Sequence, residues 1–200
     1  MAEILGGKDA IVVQDLIKRY DSFTLNKISF HVPMGTIMGF VGENGAGKTT
    51  TIKAILNLIH ADGGKISVLG SDSRDIPKEK KAWIGVVLDG SNLHENLNPR
   101  DINFIMKRIY PNWEEAVFFD YVKEFNLPDN KNIKEFSRGM KMKLSIAIAL
   151  SHGAKLLILD EATSGLDPMV RDEILDIFLE FIQDEEHTIL LSSHIISDIE

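Results

Sequence analysis

Cysteine is absent from this chain of 200 residues. A disulfide framework, a thiolate nucleophile and a cysteine metal site are therefore excluded, and a reducing compartment is the simplest interpretation. No apolar run approaches the roughly 20 residues that a membrane-spanning helix needs. The first eight residues, MAEILGGK, lack the basic start and the apolar stretch of a secretory signal peptide. These absences predict a cytosolic domain.

Positive charge is also scarce. The chain has 22 Lys and Arg residues and 30 Asp and Glu residues, which gives a net charge of -8. This balance argues against general affinity for nucleic acids or anionic membranes, and no nucleic-acid partner is expected. Internal repeats and low-complexity linkers are missing as well. With 44% hydrophobic and 26% charged residues, the sequence is typical of one globular domain spanning residues 1–200.

Strand-like and helix-like segments alternate along most of the chain. Strands are predicted at residues 11–17, 23–32, 36–41, 65–69, 83–88, 156–159 and 188–191. Helices are predicted at residues 49–59, 102–109, 113–125, 142–150 and 170–182. The pattern predicts an α/β fold with a mostly parallel sheet. The helices at about residues 95–150 are interpreted as an inserted helical subdomain.

A glycine-rich segment at residues 42–49, GENGAGKT, fits the P-loop pattern G-x-x-x-x-G-K-[ST]. It lies between a predicted strand and a predicted helix, as the pattern requires. Triphosphate oxygens are best held by convergent backbone N–H groups and a helix N-terminus, in a loop with little side-chain bulk. Lys48 would supply charge to the β- and γ-phosphates, and the Thr49 hydroxyl would ligate Mg²⁺. The candidate ATP-binding residues here are Gly42, Asn44, Gly45, Ala46, Gly47, Lys48, Thr49 and Thr50.

A second segment, LLILDE at residues 156–161, is an apolar strand that ends in two carboxylates. Asp160 would approach the magnesium ion directly or through water. Glu161 would face the γ-phosphate and polarise the attacking water. Taken alone, an apolar strand that ends in Asp-Glu is a strand end with a solvated turn about as often as it is a catalytic site. The presence of the P-loop in the same chain favours the catalytic interpretation.

Three further segments follow in a fixed order. FSRGM at residues 136–140 precedes the Asp-Glu strand, SGLD at residues 164–167 follows it, and His194 follows the last predicted strand. Residues 10–200 thereby resemble the nucleotide-binding domain of ABC (ATP-binding cassette) proteins, and look most like bacterial exporter-type ATPase subunits. The segments correspond to the signature motif, the D-loop and the switch histidine of that family. The resemblance implies a P-loop NTPase core, an N-terminal antiparallel β-subdomain and an inserted α-helical subdomain.

The resemblance also assigns roles to individual residues. Ser137 and Gly139 would bind the γ-phosphate of ATP held by a second subunit, and His194 would contact the γ-phosphate. Tyr20 occupies the place of an aromatic residue that stacks on adenine. The implied catalytic set is Glu161, His194 and Lys48. Without the resemblance, Ser137 would be only a helix cap, His194 a surface or packing residue and Tyr20 edge packing.

Three departures from the family pattern stand out. Asp89 replaces the Q-loop glutamine, and its shorter, charged side chain can still offer an oxygen to magnesium or water, as Thr49 and Asp160 do. In the signature, Arg138 and Met140 replace Gly and Gln. The chain ends at Glu200, where family domains continue, so a C-terminal truncation is expected.

The implied function is that of the ATP-hydrolysing subunit of an ABC transporter on the inner face of the cell membrane. Two such subunits, identical or different, would sandwich two ATP molecules. Closure would then reach separate transmembrane subunits through the helical insertion, near residues 89–100. Two alternatives remain: a soluble ABC ATPase acting on nucleic acid or ribosomes, and a regulatory module that holds ATP without hydrolysing it.

Overall fold

The computed structural model describes residues 9–88 and 93–194. Within these ranges eight strands, six helices and one 3₁₀ turn succeed one another. The strands are β1 (Asp9–Tyr20), β2 (Phe23–Pro33), β3 (Ile37–Val41), β4 (Gly63–Val68), β5 (Ser71–Asp72), β6 (Ile84–Val87), β7 (Leu156–Asp160) and β8 (Thr188–Ser193). The helices are α1 (Lys48–Ile55), α2 (Lys78–Lys81), α3 (Pro99–Ile109), α4 (Glu115–Glu124), α5 (Arg138–Leu150) and α6 (Pro168–Phe181), with the 3₁₀ turn at Ile133–Glu135.

The strands form two sheets of different character. One is antiparallel, in the order β2-β1-β4-β5, and the other is parallel, in the order β3-β8-β7-β6. Every residue of β7 and of β8 is buried, as expected for central strands covered on both faces. The predicted α/β fold, with its antiparallel N-terminal part and its parallel core, is confirmed.

Two hydrophobic clusters meet at strand β7, because its side chains alternate between the two faces of the sheet. Leu157 and Leu159 belong to a cluster that also contains residues of α4, α5 and α6. Leu156 and Ile158 belong to a second cluster, which lies between α1 and the antiparallel sheet. The strand that ends at Asp160 is therefore fixed from both sides.

The helix boundaries differ from the prediction at two places. Helix α1 ends at Ile55 rather than near residue 59, because Asn57 adopts a left-handed conformation with φ of 52°. Helix α5 begins at Arg138, before the apolar spacing that predicted it, because the Ser137 side chain caps its first turn.

Helices α3, α4 and α5 lie between β6 and β7 in the chain, where the helical insertion was predicted. In the part of the chain that the structure describes, no helix has both the length and the apolar character needed to cross a bilayer.

Candidate functional site

The glycine-rich loop connects β3 to α1 at the edge of the parallel sheet. Gly47 has a φ of 97°, which favours glycine. A Cβ atom at this position would lie 2.4 Å from Cδ2 of Leu25 and 2.8 Å from Cζ of Phe23. Strand β2 therefore packs so closely on the loop that only glycine fits, and the loop is held against the N-terminus of α1.

The loop borders an open cavity of about 420 Å³. The residues lining it are Phe23, Asn44, Gly45, Gly47, Lys48, Thr49, Thr50 and Glu161. The first turn of α1, residues 48–51, contains no acidic side chain, so the positive helix terminus is not neutralised locally. Backbone N–H groups, hydroxyls and one ammonium form a donor set that suits a triphosphate. The binding residues predicted between Asn44 and Thr50 thus lie around one cavity, except that Ala46 is not among its lining residues in the described chain.

Lys48 is only 7% exposed, and its ammonium lies among oxygen atoms of the loop and of Glu161. Nζ donates to the carbonyl oxygens of Gly42 at 2.6 Å and Glu43 at 3.2 Å, and it lies 3.2 Å from Oε1 of Glu161. The carbonyl oxygens take two of the three donors of the ammonium, and the Glu161 carboxylate compensates its charge. The lysine therefore links the start of the loop to the carboxylate that follows β7.

Glu161 follows strand β7 in a left-handed conformation, with φ of 53°. Its backbone N–H donates to the Ser192 hydroxyl at 3.1 Å, which anchors the turn to β8. Its Oε2 accepts a hydrogen bond from Nδ1 of His194 at 2.6 Å. Because Nδ1 faces a carboxylate, it carries the proton, and Nε2 is the nitrogen left to face a substrate. The predicted catalytic residues Lys48, Glu161 and His194 therefore form one connected group.

Asp160 is 1% exposed, and its Oδ1 accepts a hydrogen bond from the Ser192 hydroxyl at 2.7 Å. Residues 9–88 and 93–194 contain no cluster of three or more acidic or histidine side chains that could hold a metal alone. Mg²⁺ commonly uses one or two protein oxygens together with substrate phosphates, and Thr49 with Asp160 fits that chemistry. Asp89, the third predicted metal ligand, lies outside the described residues.

An aromatic residue lines the cavity, and Tyr20 is the aromatic residue that the sequence predicts for adenine stacking. Tyr20 is 48% exposed at the end of β1, and the Lys18 ammonium lies 5.3 Å from its ring centroid. Among the described residues that line the cavity, Phe23 is present and Tyr20 is not. Sequence analysis missed Phe23, although an aromatic residue three positions after Tyr20 was a usable signal. Adenine stacking by Tyr20 stays a prediction.

The signature segment lies at the N-terminus of α5. The Ser137 hydroxyl accepts a hydrogen bond from the Met140 N–H at 3.2 Å, so its role as a helix cap is confirmed. A Cβ atom on Gly139 would contact Cγ1 of Val170 at an ordinary 3.5 Å. Neither Ser137 nor Gly139 is among the described residues lining the cavity around Lys48. Their binding role stays a prediction.

Comparison with known proteins connects this site to one family. The ABC transporter family model matches residues 25–164. The chain is 36% identical over 193 residues to the bacitracin transport ATP-binding protein BcrA of Bacillus licheniformis, covering 95% of this chain and 63% of that protein. It is also 36% identical over 193 residues to the lantibiotic transport ATP-binding protein SrtF of Streptococcus pyogenes, covering 94% of this chain and 81% of that protein.

Solved structures agree with the sequence relatives. An ATP-binding subunit of an ABC transporter superposes with a TM-score of 0.77 at 29% identity, covering 94% of this chain and 80% of that one. CbiO1 of Clostridium perfringens, part of the complex cbiONQ, has the same fold. It superposes with a TM-score of 0.75 at 24% identity, and the match covers 96% of this chain and 81% of that one. The family match spans the P-loop, the signature segment and Glu161. The chain belongs to the ABC transporter family.

Proposed function

We propose that the chain is an ATP-binding and ATP-hydrolysing subunit of an ABC transporter, acting on the cytoplasmic face of the membrane. The observation that carries the proposal is the connected group Lys48–Glu161–His194 beside the P-loop cavity. The relatives BcrA and SrtF are named as transport ATP-binding proteins, which supports coupling to transport. Since the chain spans 63% of BcrA, the activity of the whole protein is part of the proposal.

In this proposal the P-loop binds the phosphates of ATP. Backbone N–H groups of residues 42–49 and the Lys48 ammonium hold the phosphate oxygens, while Phe23 closes the side of the cavity nearest β2. Thr49 and Asp160 would hold Mg²⁺, which neutralises charge on the β- and γ-phosphates when it is bound. The buried Ser192 hydroxyl fixes Asp160 by donating to Oδ1.

Glu161 is the proposed general base. Its carboxylate lies at the cavity wall, so a water molecule between it and the γ-phosphate can donate a proton to a carboxylate oxygen while its own oxygen attacks phosphorus. His194 holds the carboxylate through the Nδ1–H···Oε2 hydrogen bond. The left-handed backbone at Glu161 keeps the side chain at the strand end, beside Lys48.

The test compares Glu161→Gln with the unaltered chain. Removal of the general base should lower kcat for ATP hydrolysis by about 10² to 10⁴-fold and leave ATP bound. Glu124→Gln, which changes an exposed carboxylate at the end of α4, is the matched control and should hydrolyse ATP normally. Unchanged turnover in Glu161→Gln would refute the assignment of the base. A chain that binds ATP but never hydrolyses it would instead indicate a regulatory module.

We also propose a second copy of an ABC ATPase subunit as a partner. Ser137 and Gly139 lie outside the described lining of their own chain's cavity, yet Ser137 is exposed at the N-terminus of a helix of 13 residues. The first turn of that helix, residues 138–141, has no acidic residue. These features support contact with nucleotide held by another copy, as the family resemblance implies.

For the membrane subunits we propose an apolar groove as the docking site. It measures about 500 Å³ and lies where the end of α1, strand β6 and the end of α3 meet. Its apolar lining residues include Ile55, Leu56, Leu58, Val86, Leu88 and Tyr110. Leu58 is 59% exposed and Val86 is 38% exposed, so the groove presents more than one apolar side chain to solvent. The groove reaches Leu88, the residue that precedes the predicted Q-loop position in the sequence.

This proposal treats residues 1–200 as a single cassette domain with a helical insertion at about residues 95–150. The support is topological, since α3, α4 and α5 leave the parallel sheet after β6 and return to it at β7. Their side chains share one hydrophobic cluster with Leu157 and Leu159 of β7. The insertion is thus anchored to the strand that carries Asp160 and leads into Glu161.

A further inference from the structure

We propose that Arg138 is a positioning residue that ties the N-terminus of α5 to the turn carrying Glu161. This inference rests on the proposed function, because it concerns the same hydrolytic site. Arg138 occupies the signature position where the family pattern has glycine, and a glycine there could make no such contact.

The contact is defined by the packing of Arg138 against Gly165. A Cβ atom on Gly165 would lie 2.7 Å from Nη1 and 3.2 Å from Cζ of Arg138. The guanidinium group therefore lies over the one face of this residue that carries only hydrogen. Gly165 also has a φ of 65°, which favours glycine at the same position. The planar, rigid guanidinium suits such a close contact better than an ammonium on a flexible stem would.

Gly165 belongs to the tight turn that begins at Glu161. The Ser164 N–H donates to the Glu161 carbonyl oxygen at 3.1 Å, and the Leu166 N–H donates to the Thr163 carbonyl oxygen at 3.4 Å. Since these bonds span residues 161–166, a shift at Gly165 is passed to Glu161 through one hydrogen-bonded segment. A small displacement of a reacting group is enough to change a rate strongly.

Two other features bring α5 close to α6, the helix that follows this turn, without involving Arg138. Gly139 lies beside Val170 of α6 with room for one added Cβ atom between them, and Lys143 forms an ion pair with Glu173 of α6. These contacts hold α5 beside α6 when Arg138 is truncated. Removing the arginine side chain should therefore leave the fold intact and release the turn.

The arrangement places two functions on one turn of helix. Ser137 and Gly139 are the residues proposed to meet nucleotide held by a second copy, and Arg138 lies between them. A contact made there is relayed by the guanidinium to Gly165 and so to Glu161 of the same chain. Arg138 would then align the base of its own site according to whether the neighbouring site is filled.

The experiment measures kcat and KM for ATP in Arg138→Ala and Arg138→Lys, with Arg100→Ala as the matched control. Arg100 is an exposed arginine in the first turn of α3, where it pairs with Asp129. Both Arg138 variants should lower kcat by about ten- to a hundredfold with KM nearly unchanged. Lysine should fail to restore the rate, since it keeps the charge and loses the planar contact. Arg100→Ala should match the unaltered chain.

A double variant provides a readout that a structural role would not give. Because Arg138 acts through Glu161, adding Arg138→Ala to Glu161→Gln should not lower kcat further. Additive losses of kcat in the double variant would overturn the inference. A raised KM with unchanged kcat in Arg138→Ala would also overturn it, as would full activity of this variant when the unaltered chain hydrolyses ATP. Loss of thermal stability in Arg138→Ala beyond that of Arg100→Ala would also overturn it. If the unaltered chain hydrolyses no ATP, the proposed function fails, and the inference fails with it.

Discussion

At the scale of single residues, Lys48 is the side chain on which the proposed phosphate binding would depend most. Its buried ammonium contacts Gly42, Glu43 and Glu161, so it is both oriented and compensated in charge. Hydrogen bonds to charged groups contribute more than neutral ones, at about 1.5–3 kcal/mol.

Lys48→Ala should therefore weaken ATP binding by about ten- to 150-fold. Lys53→Ala is the control, because Lys53 is exposed in the last turn of the same helix. Isothermal titration calorimetry with ATP would measure both affinities. Equal affinities for the two variants would contradict the role given to the P-loop lysine.

His152 is a buried residue that the proposed reaction does not use. Its Nδ1 donates to the Ala82 carbonyl oxygen at 2.9 Å, and its ring stacks on Tyr110 with 4.1 Å between centroids. Burial lowers the pKa of His152 below its ordinary value of 6.5. Burial also raises the pKa of Tyr110, so the phenol stays neutral in the acidic range.

The His152 shift predicts the direction of a pH effect on stability. Below pH 6.5, His152 is protonated in the unfolded chain but stays neutral in the folded chain until a lower pH. The free energy of unfolding therefore falls as the pH falls. The loss amounts to at most about 1.4 kcal/mol per pH unit for one proton. His152→Gln should show a shallower decline between about pH 6.5 and pH 5 in urea denaturation. Parallel curves for the two proteins would rule out His152 as the source.

The sequence predicted the charged members of the site better than the aromatic one. Lys48, Glu161 and His194 belong to ordered motifs, each at the end of a predicted element, and the structure brings them together. Phe23 has no motif of its own. It reaches the cavity because strand β2 folds back over the P-loop, and that approach depends on the long-range packing of Leu25 and Phe23 on Gly47.

At the scale of elements, apolar spacing located the long strands and helices, and polar side chains decided where helices begin. Strand β5 and helix α2 were not predicted, because neither has an apolar periodicity. Strand β5 has only two residues, and helix α2 consists of four charged residues. Helix α3 begins at Pro99, three residues before its first periodic isoleucine, because of a cap. Asn98 accepts a hydrogen bond from the Asp101 N–H at 3.0 Å, and its own N–H donates to the Asp101 carboxylate at 3.1 Å.

This reciprocal cap predicts the cost of its removal. Asn98→Ala should lower the free energy of unfolding by about 1 kcal/mol. For a chain of this length, that is a fall in Tm of about 2–4 °C, measurable by differential scanning calorimetry. Asn98→Ser keeps an acceptor at the cap position and should retain most of the stability. If serine and alanine lower Tm equally, the side-chain cap contributes nothing.

At the scale of the whole molecule, an antiparallel sheet and a helical insertion flank a parallel sheet that ends at the nucleotide cavity. The signature segment lies outside the described lining of that cavity, and in the proposed function a second copy would supply it. Assembly is therefore the property that depends on the molecule as a whole.

Glu161→Gln should change from one chain to a pair of chains when Mg-ATP is added, as measured by light scattering. The control adds Gly139→Asp, which places a carboxylate at the N-terminus of α5 and repels the triphosphate of the neighbouring copy. That double variant should bind ATP and stay monomeric. ATP-dependent pairing that Gly139→Asp leaves unaffected would contradict the role of the signature segment.

The apolar groove gives a second prediction about assembly. Leu58→Asn should leave ATP hydrolysis by the isolated chain unchanged and weaken its binding to membranes that contain the transmembrane subunits by about 5- to 30-fold. Leu179→Asn is the matched control, because Leu179 is 55% exposed on α6 and does not line the groove among the described residues. Co-sedimentation with these membranes would measure both variants. Equal binding would exclude the groove as the docking site.

The ion pair between Lys48 and Glu161 gives the phosphate cavity a resident counterion. A triphosphate can pair with the Lys48 ammonium only by displacing the Glu161 carboxylate. The free energy of triphosphate binding therefore contains the difference between two ion pairs and not the full strength of one. When the product leaves, the carboxylate can return and no bare buried charge remains. In the proposed function, Glu161 would therefore compete for Lys48 with the ATP that it helps to hydrolyse. Its replacement by glutamine should tighten nucleotide binding even before any chemistry is considered.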